Sequence, residues 1–404
     1  MCASFSCGQI APKTGPARQC AQSVAHLIST EESLAMNLEL FKLERIMSEW
    51  QNEVECDLSS SGVDAVHLHE LLSAEEMEQL RGTTKLKFVQ TNGPNELRDA
   101  ILRRYPGAER RNVFVTNGSS EALMVLLWKL CQPGYEIVEI SPTYSLVGGL
   151  ARSFGATVKQ VKLQESNNWA LDLEALASVV TASTRAIYVC NPNNPTGSIL
   201  SDVEMAAIVN AAQRVGALLI ADEIYLGAEL DGRPTKSFWQ TYDKVVVTSS
   251  LSKAYGLAGL RLGWMVSNES LINAVWPYHD YTTTTTTALS VELAKMALEP
   301  DRERRLFDRA IGIAKTNVKV LDAWVRVNSG LVSGVPTKIG GLAFVKYQGR
   351  TPSEEFALNL IKTQGLLVGP GSYFGEENYL RIGYSVPHLA EGLRRLEAGL
   401  RQMQ

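Results

Sequence analysis

Three observations predict an α/β chain with a mainly parallel central sheet in a large domain and a smaller α+β domain. Between Asn112 and Ser249, short runs rich in β-branched residues alternate with helical stretches, the pattern of strands joined by crossover helices. The carboxyl ends of those runs carry Gly, Ser, Asn, Asp and Lys, and ligands of open parallel sheets collect outside those ends. From about Asp301 the pattern changes to one long helical segment followed by short strands.

In chain order, a helix is expected at Leu38–Val54, then strands at Val113–Thr116, Glu136–Ile140, Thr157–Leu163, Ala186–Cys190, Ala217–Ala221 and Lys244–Thr248. Helices at Ser120–Leu130, Ser145–Phe154 and Val203–Arg214 fill the gaps between them. Strands near Gly341–Lys346 and Tyr379–Gly383 and a closing helix at Pro387–Arg401 complete the C-terminal part. The expected organisation is a flexible extension over residues 1–35, an N-terminal arm joining the small domain over 36–80, a large domain over 81–300 and a small domain over 301–404. The run Thr282–Thr287 is read as extended, because β-branched side chains disfavour helix.

Composition narrows the function classes. The 404 residues are 45% hydrophobic and 20% charged, enough apolar side chain for a sizeable core. Lys and Arg number 39 against 43 Asp and Glu, with no single-sign block, so neither nucleic acid nor a membrane surface is an expected partner. No apolar run approaches the roughly 18 residues of a membrane span. Six cysteines without disulfide or zinc spacing fit a reducing cytoplasm. His67 and His69 would share a strand face, but no third ligand lies at a recognisable spacing, so no metal is expected.

The chemistry gathers at the strand ends. Gly118-Ser119-Ser120 opens a helix, where free N–H groups and hydroxyls can hold a phosphate, although an ordinary helix cap would look the same. Asn191 to Gly197 could be a plain proline turn, and Asp222 a helix cap. Lys253 is harder to dismiss. It stands between a Val-rich strand and a Gly-rich, largely apolar stretch, where a partly desolvated amine loses its proton more easily and can form an imine with an aldehyde.

Asn194-Pro195-Thr196-Gly197, Asp222-x-x-Tyr225 and Ser250-x-Ser252-Lys253-x-x-Gly256-x-x-Gly259-x-Arg261 together resemble the fold-type I pyridoxal phosphate enzymes of the aspartate aminotransferase superfamily, from about residue 55 onward. By that resemblance Lys253 bonds the cofactor aldehyde and later shuttles protons. Asp222 pairs with the pyridine nitrogen, Asn194 and Tyr225 bond the phenolic oxygen, and Tyr144 stacks on the ring. Gly118, Ser119, Ser120, Ser250, Ser252 and Arg261 hold the phosphate, and Arg381 grips the substrate α-carboxylate, with Asn194 beside it. The resemblance also implies a homodimer with shared sites, to which the Thr282–Thr287 segment contributes. Phe88 stands where many members carry a tyrosine that reaches the neighbouring phosphate, a bond phenylalanine cannot donate.

The stretches Asp57–Val63, Gly118–Leu123, Leu251–Leu257 and Asp280-Tyr281 are similar to the capreomycidine synthase group, which cyclises hydroxylated arginines. Enzymes forming enduracididine, the five-membered cyclic arginine, are neighbours of that group. That likeness implies expulsion of a hydroxyl as water and addition of the guanidine nitrogen. Glu44 would position the guanidinium, although a solvated carboxylate on an amphipathic helix is its ordinary role, and Ser60, Ser61 and Gly62 would line the same side. Asp222-Glu223-Ile224-Tyr225 and Asn193–Gly197 depart from the group's pattern toward ordinary aminotransferases, and His279 stands where the group's pattern has an arginine before Asp-Tyr, so amino-group transfer to a 2-oxo acid is the alternative. A third reading turns the same site toward dioxygen. A transcription regulator would need a DNA-binding domain, which about forty residues without a basic helix do not supply.

Overall fold

The central strands, such as Val113–Thr116 and Val245–Ser250, are buried along their whole length, as a sheet covered by helices on each side demands. The computed structural model describes residues 38–403, so the extension expected over residues 1–35 lies outside the described residues. The strands are β1 (Cys56–Asp57), β2 (Val113–Thr116), β3 (Glu136–Ser141), β4 (Thr157–Gln164), β5 (Ala170–Leu171), β6 (Thr184–Cys190) and β7 (Leu218–Asp222). They continue with β8 (Val245–Ser250), β9 (Gly263–Val266), β10 (Val332–Ser333), β11 (Leu342–Tyr347), β12 (Leu366–Leu367), β13 (Gly369–Pro370) and β14 (Tyr379–Gly383).

One eight-stranded sheet has the order β2-β9-β8-β7-β6-β3-β4-β5, with β8, β7, β6, β3 and β4 parallel. A four-stranded antiparallel sheet, β10-β11-β14-β13, lies in the C-terminal part. There β1 pairs in parallel with β12, which ties the segment after the first helix to the C-terminal part. Two large apolar clusters flank the eight-stranded sheet and a third fills the space around β11 and β14.

Strand β9 was not expected. Gly-Trp-Met-Val is short and follows a Gly-rich stretch, so it reads as loop. It runs antiparallel to both β8 and β2, which restores β2 to the direction of the parallel strands. The ends of β2, β8, β7 and β6 therefore lie along one edge, with Gly263 opposite both Thr116 and Ser250. A Cβ on Gly263 would lie 2.4 Å from the Ser119 nitrogen and 2.5 Å from the Gly118 carbonyl carbon. Gly263→Ala is expected to push the Gly118–Ser120 turn out of place and weaken cofactor binding about tenfold or more, measured by titration of the apoprotein.

Two local expectations are corrected. Thr282–Thr285 form a turn after the helix Glu269–His279, not extended backbone, because the hydroxyls of Thr282 and Thr283 donate to Glu121 Oε1 at 2.5 and 2.7 Å. Thr287 caps the next helix, Ala288–Ala297. His67 is the cap of the short helix Leu68–Leu71, which contains His69, so the two are not alternate strand residues; their rings stack at 5.4 Å. No group of metal-ligating side chains occurs among the described residues.

Candidate active site

The edge where the strands end opens into a cavity of about 410 Å³ lined by Glu44, Ser119, Ser120, Tyr144, Asn194, Asp222, Tyr225, Ser252, Lys253 and Arg261, among others. These residues come from six separate stretches of sequence, and the sheet order is what brings them together.

At one end, Gly118 takes φ 78° and begins the helix Ser119–Leu130 without a side-chain cap, so no cap competes for its first N–H groups. A Cβ on Gly118 would meet an Arg261 guanidinium nitrogen at 2.7 Å, so only glycine leaves the arginine against the turn. Behind this turn Glu121 is buried. Burial would raise its carboxyl, but the neighbouring His279 and bonds from the Thr282 hydroxyl, the Asn117 N–H and the Thr283 hydroxyl outweigh that and hold it down to about 2. His279 Nδ1 lies 3.3 Å from Glu121 Oε1. His279 thus packs beside the buried carboxylate behind the Gly118–Ser120 turn.

In the middle, Asp222 ends β7 and is 5% exposed. Thr248 donates to Oδ1 at 3.3 Å and Tyr188 to Oδ2 at 3.4 Å. Burial pushes its carboxyl up to about 6, against these two bonds and one from the Ile224 N–H. Lys253 donates from Nζ to Ser61 Oγ at 2.9 Å. Burial, and then the positive charge of Arg381, bring its amine down to about 8, with Glu44 and Asp222 opposing and Arg261 adding to the fall. Tyr225 is buried near Ser61, yet its hydroxyl has no hydrogen-bond partner among the described residues.

At the other end, Arg381 on β14 is 1% exposed. Its Nη2 donates to the Ser59 carbonyl at 2.6 Å and its Nη1 to Asn194 Oδ1 at 3.2 Å, while its Nε has no partner among the described residues. Burial holds its guanidinium below the ordinary arginine value. Gly383 and Gly341 let the Ser59–Gly62 loop approach, since a Cβ on either would lie 1.9 Å from the Ser60 oxygen or 2.6 Å from that of Ser61. Above Arg381, Tyr144 donates to Glu44 Oε1 at 2.5 Å, so the helix Lys42–Trp50 puts a carboxylate at the cavity wall.

Not every expected residue faces this space: neither Gly118 nor Arg381 is among its lining residues, although Arg381 bonds the lining Asn194. Ser250 is buried and accepts from the Ser252 N–H at 3.1 Å, so it braces the loop while Ser252 lines the cavity. Ser60 accepts from the Gly62 N–H at 3.3 Å, and neither residue lines the cavity; the third member, Ser61, reaches Lys253. Sequence reading missed Tyr188 and Thr248 as partners of Asp222. They flank it on neighbouring strands, a relation visible only once strand order is known.

The donor set fits pyridoxal phosphate on three counts. The uncapped Gly-Ser-Ser helix start with Arg261 suits a phosphate. The buried carboxylate of Asp222 suits a protonated ring nitrogen. The unpartnered Tyr225 hydroxyl awaits an acceptor, as a buried phenol does.

Residues 57–396 match the family Aminotransferase class I and II. Capreomycidine synthase of Streptomyces vinaceus is 30% identical over 365 residues, 89% of this chain and 93% of that protein. A PLP-dependent aminotransferase from Streptococcus suis superposes with a TM-score of 0.84 at 28% identity, covering 91% of this chain and 99% of that one. The PLP-dependent cyclase OrfR superposes with a TM-score of 0.82 at 26% identity, covering 93% and 100%. With its strand ends arranged as the cofactor requires, the chain belongs to the aminotransferase class I and II family, has the fold-type I architecture, and uses pyridoxal 5′-phosphate.

Proposed function

We propose that this enzyme is a cyclodehydratase, a lyase that converts a hydroxylated L-arginine to a cyclic guanidino amino acid of the enduracididine or capreomycidine type in natural-product biosynthesis. The observation that carries the reading is Glu44, whose carboxylate shares a cavity with Lys253. A substrate guanidinium would meet an anion there, whereas a dicarboxylic amino acid would need a cation. The likeness to capreomycidine synthase and to the cyclase OrfR supports it.

The bound cofactor supplies an electron sink for negative charge at the substrate α-carbon. Asp222 would hold the ring-nitrogen proton that makes the sink effective, and Tyr225 and Asn194 would bond the phenolic oxygen. Arg381 offers its free Nε–H and fork to the α-carboxylate. Lys253 removes the α-proton and delivers a proton where the leaving hydroxyl departs as water, and its contact with Ser61 fixes where the amine rests between these tasks. The guanidine nitrogen would then add to the unsaturated carbon left by the departing water and give up a proton, and Lys253 would return a proton to the α-carbon, closing the ring. Net change is loss of one water, with no second substrate.

Glu44→Gln keeps the acceptor for Tyr144 and removes the charge. It is expected to raise KM for the hydroxylated arginine about tenfold with kcat changed less, by steady-state kinetics. An unchanged KM would remove Glu44 from the reading.

The working form we propose is a cytoplasmic homodimer with shared sites. Leu86, Phe88 and Tyr281 are 87%, 86% and 84% exposed, apolar side chains that a second copy would cover. No helix among the described residues is long and apolar enough to cross a membrane. A monomer fully active on dilution would contradict the shared site.

The second reading, an aminotransferase, is favoured by the Asp222-Glu223-Ile224-Tyr225 sequence and by the likeness to the Streptococcus suis aminotransferase. It requires release of an oxo acid and a second substrate to restore the cofactor.

A further inference from the structure

We propose that Tyr188 is a positioning residue for the cofactor ring: from β6 its hydroxyl is donated to Asp222 Oδ2, which keeps that carboxylate charged and fixed in orientation. The inference rests on the family's cofactor and not on which reaction follows.

Strands β6 and β7 run in parallel with Cys190 opposite Asp222. Tyr188, two residues earlier on β6, shares the face of Cys190, and its phenol is long enough to reach along that face to the carboxylate, at 3.4 Å. Thr248 lies opposite Asp222 on β8 and donates to the other oxygen at 3.3 Å. Each neighbouring strand thus supplies one hydroxyl to one carboxylate oxygen. Tyr188 is wholly buried, so a phenylalanine would fill the same volume without burying a hydroxyl.

The surroundings make this donor matter. Lys253 and Tyr225 face Asp222 from the cavity, Cys190 flanks it on β6 and Glu223 follows it, while Glu139 on β3 stands opposite Tyr188. Glu223 turns away, accepting from the Phe238 N–H and the Ser237 hydroxyl. Among these groups Lys253 alone is cationic, and burial favours a neutral Asp222. A neutral acid cannot pair with a protonated ring nitrogen, so donors aimed at the carboxylate are what keep it in the charged form.

The test uses protein carrying 13Cγ-labelled aspartate, with the Asp222 resonance assigned through Asp222→Asn. In Tyr188→Phe apoprotein the carboxyl midpoint is expected to rise by about half a unit to one unit. Release of pyridoxal phosphate from the holoenzyme is expected to quicken about threefold to tenfold. If Asp222→Asn quickens release while Tyr188→Phe changes neither midpoint nor release, the proposal falls and the cofactor assignment stands. If Asp222→Asn also leaves release unchanged, the contact between Asp222 and the ring falls, and the role of Tyr188 with it. Should the phenylalanine variant fail to fold, 3-fluorotyrosine at position 188, a stronger donor, is expected to lower the midpoint, and an unmoved midpoint would overturn the proposal.

Discussion

Replacing Lys253 with alanine is expected to cut turnover about ten-thousandfold and to abolish covalent attachment of the cofactor, read as loss of the pyridoxyl adduct after borohydride reduction. The size follows from the dual role proposed for this side chain, as the amine that bonds the aldehyde and the base that moves the substrate protons. Other bases near the cavity are poorly placed to substitute. Tyr225 is buried with its phenol raised by desolvation, and Glu44 is held by Tyr144. The wild-type amine adds a pH signature. Only its neutral form attacks the aldehyde, and burial beside Arg381 brings it down to about 8 from 10.5. The rate at which apoprotein captures pyridoxal phosphate should therefore rise with pH and level off above about 8. A rate still climbing past pH 10 would mean an ordinary solvated lysine.

The second large effect belongs to Arg381. Arg381→Lys is expected to lower kcat/KM about a hundredfold, mostly through KM, with the cofactor still bound. The guanidinium reaches the Ser59 carbonyl and Asn194 at the same time and keeps its Nε–H unpartnered. A lysine ammonium can replace one of those contacts but cannot present a planar pair of N–H groups to a carboxylate. A lysine variant within threefold of wild type would place the α-carboxylate elsewhere.

The legible and illegible parts of the chain differ in kind. Strands such as Val245–Ser250 announce themselves because a sheet buried on both faces demands continuous apolar runs, and the parallel strands fall within about two residues of expectation. Asp222, Lys253 and Arg261 were legible because their types and spacing mirror the parts of one cofactor. Relations across the sheet were not. That Tyr188 and Thr248 bracket Asp222 depends on strand order and register, which no local pattern encodes. Gly263–Val266 was hidden by its length, although it aligns the Gly118–Ser120 turn with the other strand ends. The threonine run misled because β-branching favours extended backbone, whereas here the hydroxyls close onto the buried Glu121 and fold the segment into a turn.

The cyclase reading separates from its rival by stoichiometry. Purified enzyme would be mixed with β- and γ-hydroxyarginine in turn, with no oxo acid present, while product mass and the visible absorption of the cofactor are followed together. A cyclodehydratase gives a product lighter by one water, continued turnover and return of the cofactor to its aldehyde-bound absorption, with the isomer consumed defining the ring formed. Conversion of the cofactor to its amine form, with turnover halting until an oxo acid is added, would contradict the cyclase reading and make the enzyme an aminotransferase.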